Sequence, residues 1–426
     1  MTCLALCAFI LASNAMFISA RYMEAVFEWK YIDYLWISEV TRQEAIQNGI
    51  YDFSRILPMD VDKSKDGRIF ISFLGMTGVP ATLATVTEQK GPSGPLVKPY
   101  PDWSWFKKGD CDSITSVYRI AIDECNRLWV LDTGFLEGQD ILCQPQLLTF
   151  DLNTNKLINK IKIPNHIARN KKNETLLSNP IVETEGLFCE KTTVFIADTF
   201  GHGIIVWDGE QIFRLESQLF KYNEEAKTIS VGNHTLELAG GILGMDISPK
   251  IFPGESRFLY FRPLASFDIY FANTKQLRRG GTGDSINFLG RQNILSSQAV
   301  GQAFSSDGTL FLGMTKEIAI GCWNRYKTLD KSNIEIVSQD NERLQYANGI
   351  KVITISNNQT DEELWVLTNR FIGFQLGQLN SNEINFRVLK SPVKTLTTGT
   401  KCEISAKTQF AYEQINKDDG TLILQD

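Results

Sequence analysis

Ile120-Ala121-Ile122-Asp123-Glu124-Cys125-Asn126-Arg127-Leu128-Trp129-Val130-Leu131-Asp132 is two short apolar runs joined by a polar turn. Runs of this length, rich in β-branched and aromatic residues and separated by Asp and Asn, form a β-hairpin. The second run has counterparts along the chain. Segments 69–73, 128–132, 194–198, 258–261, 310–313 and 364–368 share its pattern of aliphatic and aromatic residues, and their first residues are spaced 52–66 apart. Gln302-Ala303-Phe304 leads through Ser305-Ser306-Asp307-Gly308 into the fifth run in the same way. Nothing between the hairpins keeps a helical period, which argues against a βα repeat. A four-stranded sheet with its turns needs roughly 40–50 residues, so the spacing fits one sheet per repeat plus long loops. Six such sheets around an axis close a ring and protect their edges. The expected fold is all-β, a six-bladed β-propeller with disulfides. Two stacked sandwiches give a similar strand count, but not six related hairpins at this spacing.

Composition agrees. Of 426 residues, 43% are apolar and 22% charged, and 26 Phe, 12 Tyr and 8 Trp favour strands. The net charge is −6, with Lys and Arg scattered. No basic stripe is present to replace nucleic-acid counterions, so no nucleic-acid partner is expected. Residues 4–12 are apolar but too short to span a bilayer, and small residues follow at Ala15 and Ala20. Residues 1–20 are therefore expected to be a signal peptide, although no basic residue precedes Arg21, and residues 21–426 a single propeller domain. No other stretch is long and apolar enough to cross a membrane, and the protein is expected to be secreted and extracellular.

Loss of the leader removes Cys3 and Cys7 and leaves Cys111, Cys125, Cys143, Cys189, Cys322 and Cys402. An even number suits three disulfides in an oxidising compartment, with 15 pairings open. Their wide spacing contains no CxxC, so zinc is not expected. Asn173-Glu174-Thr175, Asn233-His234-Thr235 and Asn358-Gln359-Thr360 are N-glycosylation sequons in polar segments.

From Glu28 to about Cys402 the chain resembles the yellow / major royal jelly proteins of insects, closer to the royal jelly branch. The resemblance rests on Glu28-Trp29-Lys30-Tyr31, on Gly94-Pro95-Leu96-Val97-Lys98-Pro99-Tyr100-Pro101-Asp102-Trp103, and on Tyr118-Arg119-Ile120-Ala121-Ile122-Asp123. Arg127-Leu128-Trp129-Val130-Leu131-Asp132-Thr133-Gly134, Gly241-Ile242-Leu243-Gly244-Met245 and Gly321-Cys322-Trp323-Asn324 extend it. It implies a six-bladed propeller, the count reached from the repeat, and a Cys322–Cys402 pair, with Cys111–Cys143 and Cys125–Cys189 as the remaining bonds. Pro99, Pro101 and the aromatic residues beside them suit an extended loop laid across a propeller face, anchored by Trp103 and Trp105.

Catalytic constellations are sparse. His166, His202 and His234 are the only histidines, none at HExxH or HxH spacing, and no Gly-x-Ser-x-Gly elbow exists. Gly280-Gly281-Thr282-Gly283 lacks the ending of a phosphate loop and reads as a flexible loop. Calcium held on the axis, as in hydrolytic six-bladed propellers, is a weaker alternative resting on Asn348-Gly349 and Asp307-Gly308, which are also ordinary turns. Neither metal nor cofactor is expected, and binding is favoured over catalysis. In members of the resembling family that capture small aromatic amines, an Asn-x-Phe segment directly after a strand contacts the ligand. Asn369-Arg370-Phe371 stands in that place, and Thr354 is a further candidate by its distance upstream. A phenyl face attracts cations and an amide bonds amine or hydroxyl. The competing reading is that Asn369 turns the chain and Phe371 packs. The expected function is capture of a small aromatic or amphipathic ligand, such as a biogenic amine, at the propeller mouth. The alternatives are a nutrient, storage or venom-type glycoprotein and a dopachrome-converting enzyme of the melanin pathway. Oligomeric state is left open.

Overall fold

The computed structural model describes residues 21–136, 142–186, 188–250, 256–280, 286–356 and 361–405. Residues 1–20, expected to be a leader, and the sequon at Asn358 lie outside these residues. Six four-stranded antiparallel sheets make the six-bladed β-propeller expected from the repeat. Blade I consists of Pro58–Lys63, Ile69–Phe73, Leu83–Gly91 and Gly94–Pro99. Blade II is Val117–Ile122, Arg127–Asp132, Gln146–Asp151 and Lys156–Lys162. Blade III is Leu177–Glu185, Lys191–Asp198, Gly203–Trp207 and Ile212–Glu216. Blade IV is Ile242–Ile247, Phe258–Pro263, Ile269–Asn273 and Leu289–Arg291. Blade V is Ala299–Phe304, Thr309–Met314, Ala319–Asn324 and Glu335–Gln339. Blade VI takes Ala347–Thr354, Glu362–Thr368 and Phe386–Pro392 from the end of the chain and its outermost strand, Glu24–Trp29, from the beginning.

All six repeated runs are the second strand of a blade. That strand has a sheet neighbour on each side and other blades above and below it, so both its faces are apolar, as in Ile69–Phe73, where all five residues are buried. The outer strands face solvent and alternate, as Lys156–Lys162 does, so their signal in the sequence is weaker.

The last residue of this run has a repeated task. Asp132, fully buried, accepts hydrogen bonds from the backbone N–H groups of Thr115 (3.1 Å), Ser116 (2.8 Å) and Gly134 (3.1 Å) and from Gln146 Nε2 (2.9 Å). Asp198 accepts from Leu176 N (2.7 Å), Gly201 N (3.0 Å) and Arg214 Nη1 (2.8 Å). Each carboxylate pins the loop that enters its own blade, because buried amides without partners are costly. In blade IV the register puts Pro263 at the equivalent position, and the polar side chain there is that of Arg262 just before it. It bonds carbonyls instead, those of Ala299 and Gly301 in blade V.

Three disulfides add long-range ties. Cys111–Cys143 links the connection entering blade II to a loop of that blade, and Cys125–Cys189 joins the first hairpin turns of blades II and III. Cys322–Cys402 fastens the segment after blade VI to blade V.

One local expectation needs correction. Gly94–Pro99 is not a loop across a face but the outermost strand of blade I. Its prolines are tolerated because an edge strand needs few of its N–H groups. The edge is then covered: Leu35 N donates to Val97 O (2.8 Å) and Val97 N to Asp33 O (3.0 Å). Trp103 does anchor the connection that follows, stacked on Trp36 with ring centroids 4.9 Å apart.

Candidate functional site

The six inner strands run parallel around the axis, and each contacts the next. They do not share a backbone ladder, so side chains supply partners for their exposed N–H and C=O groups. Each inner strand bulges against its second strand near its start, between Pro58 and Asp60, Val117 and Ile120, Leu177 and Asn179, Ile242 and Gly244, Ala299 and Gln302, and Ala347 and Gly349. A bulge re-aims the residues beside it, and the polar residues of the lumen sit beside these bulges.

Asp60 Oδ2 accepts from Ile120 N of blade II (3.2 Å) and pairs with Lys351 Nζ of blade VI (3.1 Å), which also donates to Ile120 O (2.7 Å). Asp62 Oδ2 accepts from Ile122 N (2.9 Å), and Asp246 Oδ2 from Phe304 N of blade V (2.6 Å). Asn179 Nδ2 donates to Leu243 O of blade IV (3.1 Å), and Asn348 Nδ2 to Met59 O of blade I (2.8 Å). Arg119 Nη2 reaches from blade II to the backbone and side-chain oxygens of Asn348 (2.9 and 3.0 Å). The polar lumen therefore stitches neighbouring blades together.

These groups surround an axial cavity of about 550 Å³, opening between the turns that join first and second strands. Asp62, Asp246, Lys351, Thr354 and Glu362 line it with apolar Ile181, Phe304 and Ile350. Burial pushes the Asp62 carboxyl up to about 6 and raises that of Asp246. An Asp that prefers its neutral form when folded adds stability that is complete below the unfolded value of 3.8 and is lost as pH rises through about 6. Asp62→Asn is expected to remove that slope, about 3 kcal/mol between pH 4 and pH 7. Urea unfolding of both proteins at the two pH values checks this, and parallel pH trends would contradict it.

The opposite end of the axis is covered by a hairpin, Thr228–Val231 and His234–Glu237, inserted between blades III and IV. Ile229 and Val231 are buried in one cluster with Met59, Leu243, Val300 and Ala347, from the beginnings of four inner strands. Gln298 Nε2 holds the hairpin base through Ala226 O (2.7 Å) and Thr228 O (3.0 Å). A small pocket of about 170 Å³ remains beneath it, lined by Val231, His234, Tyr346 and Arg370.

The three candidate ligand residues are not brought together. Thr354 ends the inner strand of blade VI at the open cavity, whereas Asn369 and Phe371 follow the second strand at the covered end. The strand pairing sets Thr354 opposite Glu362 and Ala347 opposite Thr368, so a whole strand, roughly 23 Å at 3.3 Å per residue, separates the two. Asn369 is fully buried. Its Nδ2 donates to Pro58 O (2.8 Å), and its Oδ1 has no partner. Phe371 stacks on Tyr346, ring centroids 4.8 Å apart.

Asn173 and Asn233 are exposed, Asn233 at the tip of the covering hairpin. His202 lies in the turn after Asp198 with positive φ (54°), half-buried 5.6 Å from the Tyr222 ring. Burial holds its imidazole below the ordinary range. It borders a surface groove of about 1370 Å³, lined also by Arg169, Lys171 and Asn173. Asp198, four residues before it, is committed to Arg214. Among the described residues no group of three or more His, Cys, Asp or Glu could hold a metal ion, and no helix is long and apolar enough to cross a membrane. Sequence reading did not single out Asp60, Asp62, Asp246, Arg119 and Lys351 as a set. The signal was there, as charged residues inside the apolar runs that precede the repeated ones.

Fold and site together define a six-bladed β-propeller with a polar axial cavity, open at one end and capped at the other. Residues 115–402 match the sequence model of the family described as Major royal jelly protein. The chain is 39% identical to Major royal jelly protein 9 of Apis mellifera over 403 residues, 92% of each chain. It is 37% identical to Major royal jelly protein 7 of the same bee (96% of this chain, 93% of that one) and 36% to Major royal jelly protein 1 (88% of each). The chain belongs to the major royal jelly protein family. Among solved structures, a streptogramin B lyase aligns with 79% of the chain and 93% of its own at 10% identity and a TM-score of 0.40.

Proposed function

We propose that this protein is a secreted glycoprotein, one propeller domain behind a cleaved leader, that captures a small aromatic or amphipathic cation in its axial cavity. The observation that carries this reading is the open cavity of about 550 Å³, within the 300–1,000 Å³ usual for small-molecule sites. Two carboxylates, Asp62 and Asp246, stand on its wall, which Phe304 also helps to form. An ammonium group gains a charge-assisted hydrogen bond from such a carboxylate and the attraction of an aromatic face. Export is supported by the apolar leader, three disulfides and the exposed sequons at Asn173 and Asn233.

A second reading places the ligand at the covered end, and the unpartnered Oδ1 of buried Asn369 favours it. That site requires the hairpin to move aside. Calorimetric titration with serotonin, dopamine and octopamine tests both. One-site binding at micromolar affinity or better, about −8 kcal/mol, is the expected result. Asp62→Asn with Asp246→Asn should weaken it tenfold to a hundredfold, the worth of charged hydrogen bonds, and wild-type affinity should fall as pH drops through about 6. Loss in Asn369→Ala alone moves the site to the covered end. No heat with any amine returns the protein to a storage or venom-type role.

A further inference from the structure

Two guanidinium groups in the lumen have no carboxylate. Arg262 is completely buried and Arg119 is 3% exposed. Neither takes part in any ion pair among the described residues; their hydrogen bonds go to the carbonyls of Ala299 and Gly301 and to Asn348. The Nε of each is buried without an acceptor. Of the acidic residues nearby, Asp60 pairs with Lys351 through Oδ2 while its buried Oδ1 has no hydrogen-bond partner, and Asp62 and Asp246 bond backbone amides of the next blade. The two cations converge on neighbouring carbonyls: Gly301, whose O accepts from Arg262, lies so close to Asn348 O, the acceptor of Arg119, that a Cβ at Gly301 would be 2.6 Å from it. Gly244 lets Arg262 into the lumen, since a Cβ there would lie 2.7 Å from Arg262 Nη2, and Arg119 forms part of the axial cavity wall with Asn179 and Gln302. Placing a charge out of water costs several kcal/mol unless an opposite charge answers it, and two like charges here add to that cost.

We propose that Arg119 and Arg262 form a buried site for a small monovalent inorganic anion, chloride above all, at the inner end of the axial cavity. The anion neutralises blades II and IV where they face each other across the axis, and it reaches the site through the open cavity on the Arg119 side. Burial and the charge of Arg119 together hold the Arg262 guanidinium down to about 9, the direction expected of a cation lacking its counterion. The inference is independent of which organic ligand the cavity takes.

The test uses the full mature protein. Crystals soaked in sodium bromide are expected to show an anomalous peak within hydrogen-bonding distance of both guanidinium groups. In solution, replacing sodium gluconate by sodium chloride at constant ionic strength should raise the melting temperature saturably, by several degrees. Gluconate is too bulky for the site and, as an excluded solute, would by itself act the other way. Arg119→Met should abolish the chloride-dependent rise. No bromide at the two arginines, together with equal melting in the two salts, would overturn the proposal. The bromide experiment needs only the wild-type protein, so a variant that fails to fold leaves it decisive.

Discussion

Trp29→Ala is expected to lower the free energy of unfolding by about 3–5 kcal/mol. The strand Glu24–Trp29 is the only part of blade VI supplied by the start of the chain, pairing with Phe386–Pro392 from Glu24 opposite Lys390 to Trp29 opposite Phe386. Trp29 is fully buried, and its Nε1 donates to Pro95 O of blade I at 2.7 Å. One side chain thus ties the last blade to the first. The approach is so close that a Cβ at Gly94, where φ is +138°, would lie 2.4 Å from Glu28 O and 2.8 Å from Trp29 Cδ1. Alanine would leave a cavity the size of an indole and strand the Pro95 carbonyl. Val40→Ala, at a residue two-thirds exposed, is the control and should change stability by no more than about 0.5 kcal/mol. Denaturant unfolding compares the two. Equal midpoints would mean that the ring does not depend on its closing strand.

Replacing both Cys322 and Cys402 by alanine should cost about 4 kcal/mol. The bond closes 80 residues, against 64 for Cys125–Cys189 and 32 for Cys111–Cys143, and chain entropy restricted in the unfolded state grows with the logarithm of that number. Both cysteines are fully buried, and Asn324 Nδ2 donates to Cys402 O at 3.3 Å, so the bond also seats the segment that follows blade VI. The cost should exceed that of removing Cys111 and Cys143, by a margin below about 1 kcal/mol on the same entropy model. Denaturant unfolding of the two double variants gives the ordering. A loss under about 1 kcal/mol for the longer loop would show that Val393–Thr397 and its packing hold the segment unaided.

The amino-acid sequence alone determined the blades. A second strand such as Leu128-Trp129-Val130-Leu131-Asp132 is apolar on both faces in every repeat because it is enclosed on all sides, and that pattern is local, so it can be counted. The hairpin turns and the sixfold repeat follow from the same short-range chemistry. Tertiary structure decided what depends on residues far apart in the chain. Glu24–Trp29 reads like any short strand, and nothing in it states that its partner lies some 360 residues away. The hairpin around Asn233 carries no mark that it covers the axis. Asn369 and Thr354 look close in sequence, yet antiparallel pairing sends them to opposite ends of one blade. Asp60, Asp62 and Asp246 read as odd charges in apolar strands; only ring closure supplies the neighbouring backbone amides that they bind. The physical reason is common to all four. Burial and turn preference belong to a residue and its near neighbours, whereas register across the ring and the partner of a buried charge belong to the assembled fold.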